Sequence, residues 1–308
     1  MQETRMRRLT HQISLYWQLF VFLIPPLVYI VLFHYIPMFG VQIAFKQYSP
    51  LYGIWNSPWV GLLQFRRFFS GYMFGRLMRN TVVISLYSLG VGFPIPVIFA
   101  LALNVMTNKR YQKIVQMVSY APHFISIIVL VGLLNVMLGS RTGMYGAVVK
   151  MFTGGFPSDL FSNPATFRHM YVWSGIWQQM GWSAVIYIAS LSAVDTELHE
   201  AAEIDGASRL SRVWHIDLPS ILPTLSIMLI LACGSILSVG FEKVYLMQNN
   251  INTSVSEVIS TYVYKVALVN SPDFSYSTAI GFFNSVINLA FLVVVNAITG
   301  KLSQTSLF

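Results

Sequence analysis

The chain has 308 residues, 55% of them hydrophobic and 10% charged, with a formal net charge of +8. So few charges, at a mean hydropathy of +0.62, exclude a disordered chain and weigh against a soluble globular domain, in which about a quarter of residues are charged. The basic excess does not call for nucleic acid, because Lys and Arg in short loops also fix the orientation of a membrane chain.

Six long charge-free stretches follow one another along the chain: 9–45, 80–108, 114–140, 169–194, 218–241 and 274–300. Each can hold the roughly 20 apolar residues that cross a hydrocarbon core as a helix. They predict an all-α integral membrane protein with six transmembrane helices, over 17–38, 80–106, 113–138, 169–194, 219–241 and 275–299. The first follows a basic segment, 1–16, with Arg5, Arg7 and Arg8. It is too long for a signal peptide, contains Pro25 and Pro26, and lacks an Ala-x-Ala-like site, so an uncleaved span is expected. Another charge-free stretch, 47–65, holds Pro50, Gly53, Asn56, Pro58 and Gly61, the composition of turns. It falls in a loop, 39–79.

Lys109, Arg110 and Lys113 lie in or beside the tight connection between the second and third spans. With the basic N-terminal segment, they predict both termini on the cytoplasmic side. Arg66, Arg67, Arg76 and Arg79 fall on the other side, in a longer loop where the rule is weaker. The remaining outer loops are then 139–168 and 242–274, and 300–308 is a cytoplasmic tail. Cys233 is the single cysteine, so no disulfide forms within the chain.

Six of the eleven acids cluster between the fourth and fifth spans: Asp195, Glu197, Glu200, Glu203, Asp205 and Asp217. Asp195 and Thr196 can cap a helix start, and early acids suit its dipole. Ala201 and Ala202 favour helix. Gly206 can end it in the left-handed conformation. Ser208 can cap a second short helix carrying Arg209, Arg212 and Trp214. Ile204, Val213 and Trp214 are expected to pack. The loop 195–219 thus reads as helix, glycine turn, helix: a shape suited to docking.

Polar groups inside spans tend to face protein or a water-filled cavity. Thr81, Ser85, Ser88, Gly92 and Pro96 share one face of the second span, best read as helix packing. Ser119, His123 and Ser126 share a face of the third. Ser277, Gly281, Asn284 and Asn288 form a strip on the sixth. Sugars are held by amide hydrogen bonds and by aromatic faces, which makes Tyr120, His123, Trp177, Gln178, Asn284 and Asn288 candidates for a substrate pathway. Trp173 fits an interfacial belt better. Glu242 is a further pathway candidate, and it does not face its neighbour Lys243 on a helix.

The run Glu200-Ala201-Ala202-Glu203-Ile204-Asp205-Gly206-Ala207, followed by Trp214, Ile216, Leu218 and Pro219, resembles the EAA signature of bacterial ABC-importer permeases, with Trp214 where Phe is more usual. Gln42–Lys46, Trp59–Leu62, Asn80-Thr81, Pro122–Ser126 and Tyr276–Gly281 resemble the carbohydrate branch, in particular the subfamily for polysaccharide fragments and complex oligosaccharides. The resemblance implies a type I ABC-importer permease fold in a bacterial plasma membrane. It implies a cytoplasmic coupling helix in which Glu200, Ala201, Ala202, Asp205, Gly206, Ala207, Trp214, Leu218 and Pro219 meet an ATPase. It also implies a second related permease subunit, an ATPase dimer, an extracytoplasmic solute-binding protein and an oligosaccharide substrate.

No Walker A loop is present: the only Gly-Lys pair, Gly300-Lys301, is followed by Leu302. ATP and Mg are therefore expected on the partner ATPase, with no cofactor, metal or catalytic residue on this chain. A permease of another ABC branch, for peptides, amino acids or other solutes, is the nearest alternative. A secondary transporter is opposed by span cores free of Asp and Glu, and a membrane enzyme by the lack of clustered catalytic groups.

Overall fold

The structure, a computed structural model, describes residues 15–269 and 272–303; Arg5, Arg7, Arg8 and positions 304–308 of the expected tail lie outside them. The described residues are helical throughout, apart from turns and one isolated bridge between Lys46 and Trp59.

Among the described residues four helices are long and apolar enough to cross a membrane: α1 (Trp17–Phe45), α3 (Phe74–Asn104), α9 (Arg209–Gly234) and, starting at Phe274, α12 (Phe274–Ser303). Between the first two lies α2 (Leu63–Ser70). α1 is exposed along its whole apolar stretch and meets the rest of the chain through Phe39–Phe45, which packs on α12. Lys46 closes the following loop. It is buried, its Nζ donates to the Ile54 and Trp55 carbonyls at 2.8 and 3.1 Å, and it sits 4.7 Å from the Trp59 ring centre. α3 starts six residues before the expected span and is interrupted at Phe93, just ahead of Pro94 and Pro96.

The expected third span is not one straight helix. α4 (Lys109–Tyr120) continues through a 3-10 turn, Ala121–Phe124, into α5 (Ile127–Leu138), and the two halves are bent by 99°. Pro122 cannot donate to a helical ladder, and the Ser126 hydroxyl accepts from the Val129 N–H, starting a new helix in a new direction. After α6 (Met144–Thr153) comes the central element, α7 (Pro164–Ser192), capped by Asn163. α7, with 29 residues, is long enough to span but more polar than those four. It carries buried Ser174 and Gln178 among its contacts with α3, α4 and α9. Polar residues are tolerated where the neighbours are protein and not lipid.

α8 (Thr196–Ile204) leads by a turn into α9. α9 ends at Gly234, seven residues short of the expected boundary. Its continuation is α10 (Phe241–Met247), then α11 (Ile259–Val269) and α12. Three apolar clusters hold these helices together. One joins Ile84, Phe167, Val244 and Met247, and a second Val97, Ala184, Tyr187 and Ile221. The third joins Phe68, Leu77, Ile259 and Ile280. α7 contributes to the first two, which lie either side of the cavity described next.

Candidate functional site

Two features stand out: a cavity beside α7 and the loop between α7 and α9.

The cavity has a volume of about 1030 Å³ and is bounded by α3, α7, α9 and α10, at the upper end of the range for small-molecule sites. Four of the five residues on the second-span strip line it: Ser85, Ser88, Gly92 and Pro96. That face is cavity wall, not the packing surface expected. Thr81 alone of the five is outside the lining, its Oγ1 accepting the Ile259 N–H at 3.1 Å. From α7 come Tyr171, Gly175, Gln178, Gln179 and Trp182, and from α10 comes Lys243.

Of the seven pathway candidates, Gln178 alone is in the lining. It is buried, and its Nε2 donates to the Ile125 carbonyl at 2.7 Å. His123 stands one layer behind: its Nδ1 lies 2.8 Å from Gln179 Oε1, and its ring stacks on Trp182 at 4.4 Å. Gln178 and His123 thus both fasten the bend of the α4–α5 pair to α7. Tyr120 is half-buried at the end of α4. Trp177 is exposed, away from the lining. Asn288 is buried between helices; its Oδ1 accepts the Leu237 N–H at 2.9 Å and its Nδ2 donates to Ser238 Oγ at 3.0 Å. Its amide therefore stitches the segment between α9 and α10 to α12. Asn284 keeps a buried Oδ1 without a partner. Glu242 is exposed, whereas its neighbour Lys243 is buried.

Sequence reasoning missed Lys243. Its Nζ donates to the Tyr171 carbonyl at 2.8 Å and lies 4.9 Å from the same residue's ring centre. Burial, which disfavours the charged form, pulls its pKa down to about 8. Lys243 is the only charged side chain among the described residues of the lining. The available signal was a lysine at the junction of an apolar span and an outer segment.

Between α7 and α9 the expected caps and glycine turn form, but the expected second short helix is the first part of α9 itself. Asp195 Oδ1 accepts the Glu197 N–H, and Ser208 Oγ accepts the Ser211 N–H. Gly206 adopts φ +78. The Ala207 N–H reaches back to the Ala202 carbonyl at 2.8 Å and the Gly206 N–H to the Glu203 carbonyl at 3.1 Å. This is a Schellman closure, in which the left-handed residue lets the last carbonyls find donors. Arg212 then pairs with Glu203 at 2.9 Å across the turn.

Glu200, Ala201, Asp205, Gly206, Trp214 and Pro219 are exposed; Ala202, Ala207 and Leu218 are half-buried. Ile204 and Trp214 do not pack within the chain as expected: they are 87% and 65% exposed. Asp217 is the buried root of the loop, 2% exposed, touching His199 on α8 and Asn104 at the end of α3.

Comparison with known proteins identifies the group to which this arrangement belongs. Residues 92–304 match the family described as "Binding-protein-dependent transport system inner membrane component". Protein LplB of Bacillus subtilis is 42% identical over 94% of this chain and 91% of its own length. The polygalacturonan/rhamnogalacturonan transport system permease protein YteP of the same organism is 39% identical over 94% and 90%. Two solved structures of bacterial alginate ABC transporters each reach a TM-score of 0.88 at 34% identity, covering 96% and 97% of this chain and 99% and 100% of theirs. One of the two includes an alginate pentasaccharide-bound periplasmic protein. The all-helical fold is therefore that of a type I ABC permease, and the chain belongs to the family of binding-protein-dependent transport system inner membrane components.

Proposed function

We propose that the chain is one of two permease subunits of an ATP-driven importer of oligosaccharides or polysaccharide fragments, and forms half of the translocation pathway. The relatives' substrates support the substrate class. In this reading six helices cross the bacterial plasma membrane, with the bent α4–α5 pair and the polar α7 counting as two of them. Both termini, including 1–16 and 300–308, are cytoplasmic. The cavity beside α7 is this subunit's share of the pathway, and the outer segments 46–79 and 242–273 receive a solute-binding protein.

The observation that carries the coupling role is the exposed Glu200–Gly206 turn, rooted through Asp217 in two of the cavity helices. An ATPase dimer, which holds ATP and Mg, closes on this turn; exposed Ile204 and Trp214 supply the apolar contact that such docking needs. Closure moves α9 and opens the cavity outward, and hydrolysis resets it. This chain performs no catalysis.

The test is Gly206→Asp in the assembled transporter. Uptake and substrate-stimulated ATP hydrolysis should be lost, while the subunit still inserts. Normal uptake would overturn the coupling role.

A further inference from the structure

The cavity is electrically one-sided. Lys243 is 6% exposed, yet no carboxylate among the described residues pairs with it. An ammonium has three N–H donors. One is taken by the Tyr171 carbonyl and the Tyr171 ring centre lies 4.9 Å away; no further hydrogen-bond acceptor is found for the ammonium among the described residues. The nearby position that could crowd it is Gly175, where a Cβ would stand 3.1 Å from Nζ. Lys265 meets Glu257 at 2.7 Å and Arg67 meets Asp273 at 2.6 Å, while Lys46, also buried without an acid, has two carbonyl acceptors and the Trp59 ring where Lys243 has one carbonyl and one ring. In the same cavity wall, Ser85 Oγ is buried and has no hydrogen-bond partner. A second pocket, about 460 Å³, repeats the pattern: Arg168 lines it, with a buried Nε lacking a partner, and no acid is in its wall.

Burying a cation is costly unless a counter-charge arrives. A neutral sugar brings hydroxyls but no counter-charge. A uronic-acid residue brings a carboxylate that can accept from the ammonium donors not used by the Tyr171 carbonyl. We propose that Lys243 is the carboxylate-binding residue of the cavity, and that the substrates this subunit passes are acidic oligosaccharides. The proposal rests on the transport reading above, and it assigns a residue and a charge that the reading leaves open.

The experiment uses the complete importer in proteoliposomes, with its own binding protein held constant, and compares trigalacturonate with its neutral methyl ester. The wild type should take up the acid in preference to the ester by about tenfold or more, the scale of one charge-assisted bond. Lys243→Gln should erase that preference, and Lys243→Arg should keep most of it. Equal uptake of acid and ester by the wild type, or an undiminished preference in Lys243→Gln, overturns the proposal while leaving oligosaccharide transport intact. Failure of both sugars in the wild type, with ATP hydrolysis stimulated by a different class of solute, overturns the transport reading itself. A second measurement needs no variant: carbodiimide coupling of trigalacturonate to the wild-type importer should join the sugar carboxyl to Lys243 by an amide bond, seen by mass spectrometry. Adducts confined to exposed lysines, or none, also overturn it.

Discussion

His199 Nε2 lies 3.3 Å from Asp217 Oδ1, and Asn104 Nδ2 donates to that same oxygen at 3.1 Å. One buried carboxylate oxygen thus gathers the helix of the acidic turn, the root of α9 and the end of α3. Replacing Asp217 by Ala leaves Asn104 without its acceptor, at a cost of about 1–3 kcal/mol. Thermal unfolding of the detergent-purified subunit should show the loss, and uptake should fall further than stability alone explains. A variant with unchanged melting and full uptake would exclude this role for Asp217.

Gly206 separates conformation from crowding. Its φ is +78, yet a Cβ there would meet nothing within 4 Å. The penalty for a side chain is therefore backbone strain, about 1–2 kcal/mol for most residues and less for Asn, which tolerates the left-handed region. Gly206→Asn should keep more stimulated ATPase activity than Gly206→Val. The reverse order would show that shape, not backbone freedom, is what matters at the turn.

Gly181 is the opposite case. A Cβ there would fall 2.2 Å from the Ser119 carbonyl oxygen, so α4 and α7 touch backbone to backbone. Gly181→Ala should destabilise by about 1–3 kcal/mol through overpacking. Gly132 on α5 has nothing within 4 Å and serves as the control. Gly132→Ala should be neutral or stabilise by up to about 1 kcal/mol. Comparable melting temperatures for the two variants would contradict the close crossing.

Asn288 holds Leu237 and Ser238 with its one amide. Asn288→Leu should lower stability by about 1–3 kcal/mol, because the Leu237 N–H loses its acceptor. The chain-length preference of the residual uptake should not move. A shift in preference at unchanged stability would return Asn288 to the pathway.

What could be read from the sequence was local. Asp195, Gly206 and Ser208 act on backbone groups within five residues, so the caps and the glycine turn were legible without a fold. The absence of charge located α1, α3, α9 and α12, since lipid penalises charge wherever it falls. The bend after Tyr120 was not legible, because hydropathy counts apolar residues and is blind to the direction a helix takes after Pro122. Helical phase grouped Ser85, Ser88, Gly92 and Pro96 on one face but could not say whether that face meets a helix or a void. Lys243 was hidden for a related reason: its burial depends on Tyr171, 72 residues away, and on a short helix that folds back against α7.

α9 is helical from Arg209 to Gly234, through a π-helical turn at Val213–Asp217 and past Pro223. Its loop end contains Asp217, and farther along Met228 and Ala232 form part of the cavity wall. Fifteen residues of helix separate Asp217 from Ala232, which is about 22 Å of rod at 1.5 Å per residue. A tilt of about 5° pivoting at Asp217 would carry the wall by about 2 Å. In the proposed transport cycle this helix would serve both ends: a push on the wall near Ala232 would tip the Arg209 end of α9, next to which the exposed turn sits.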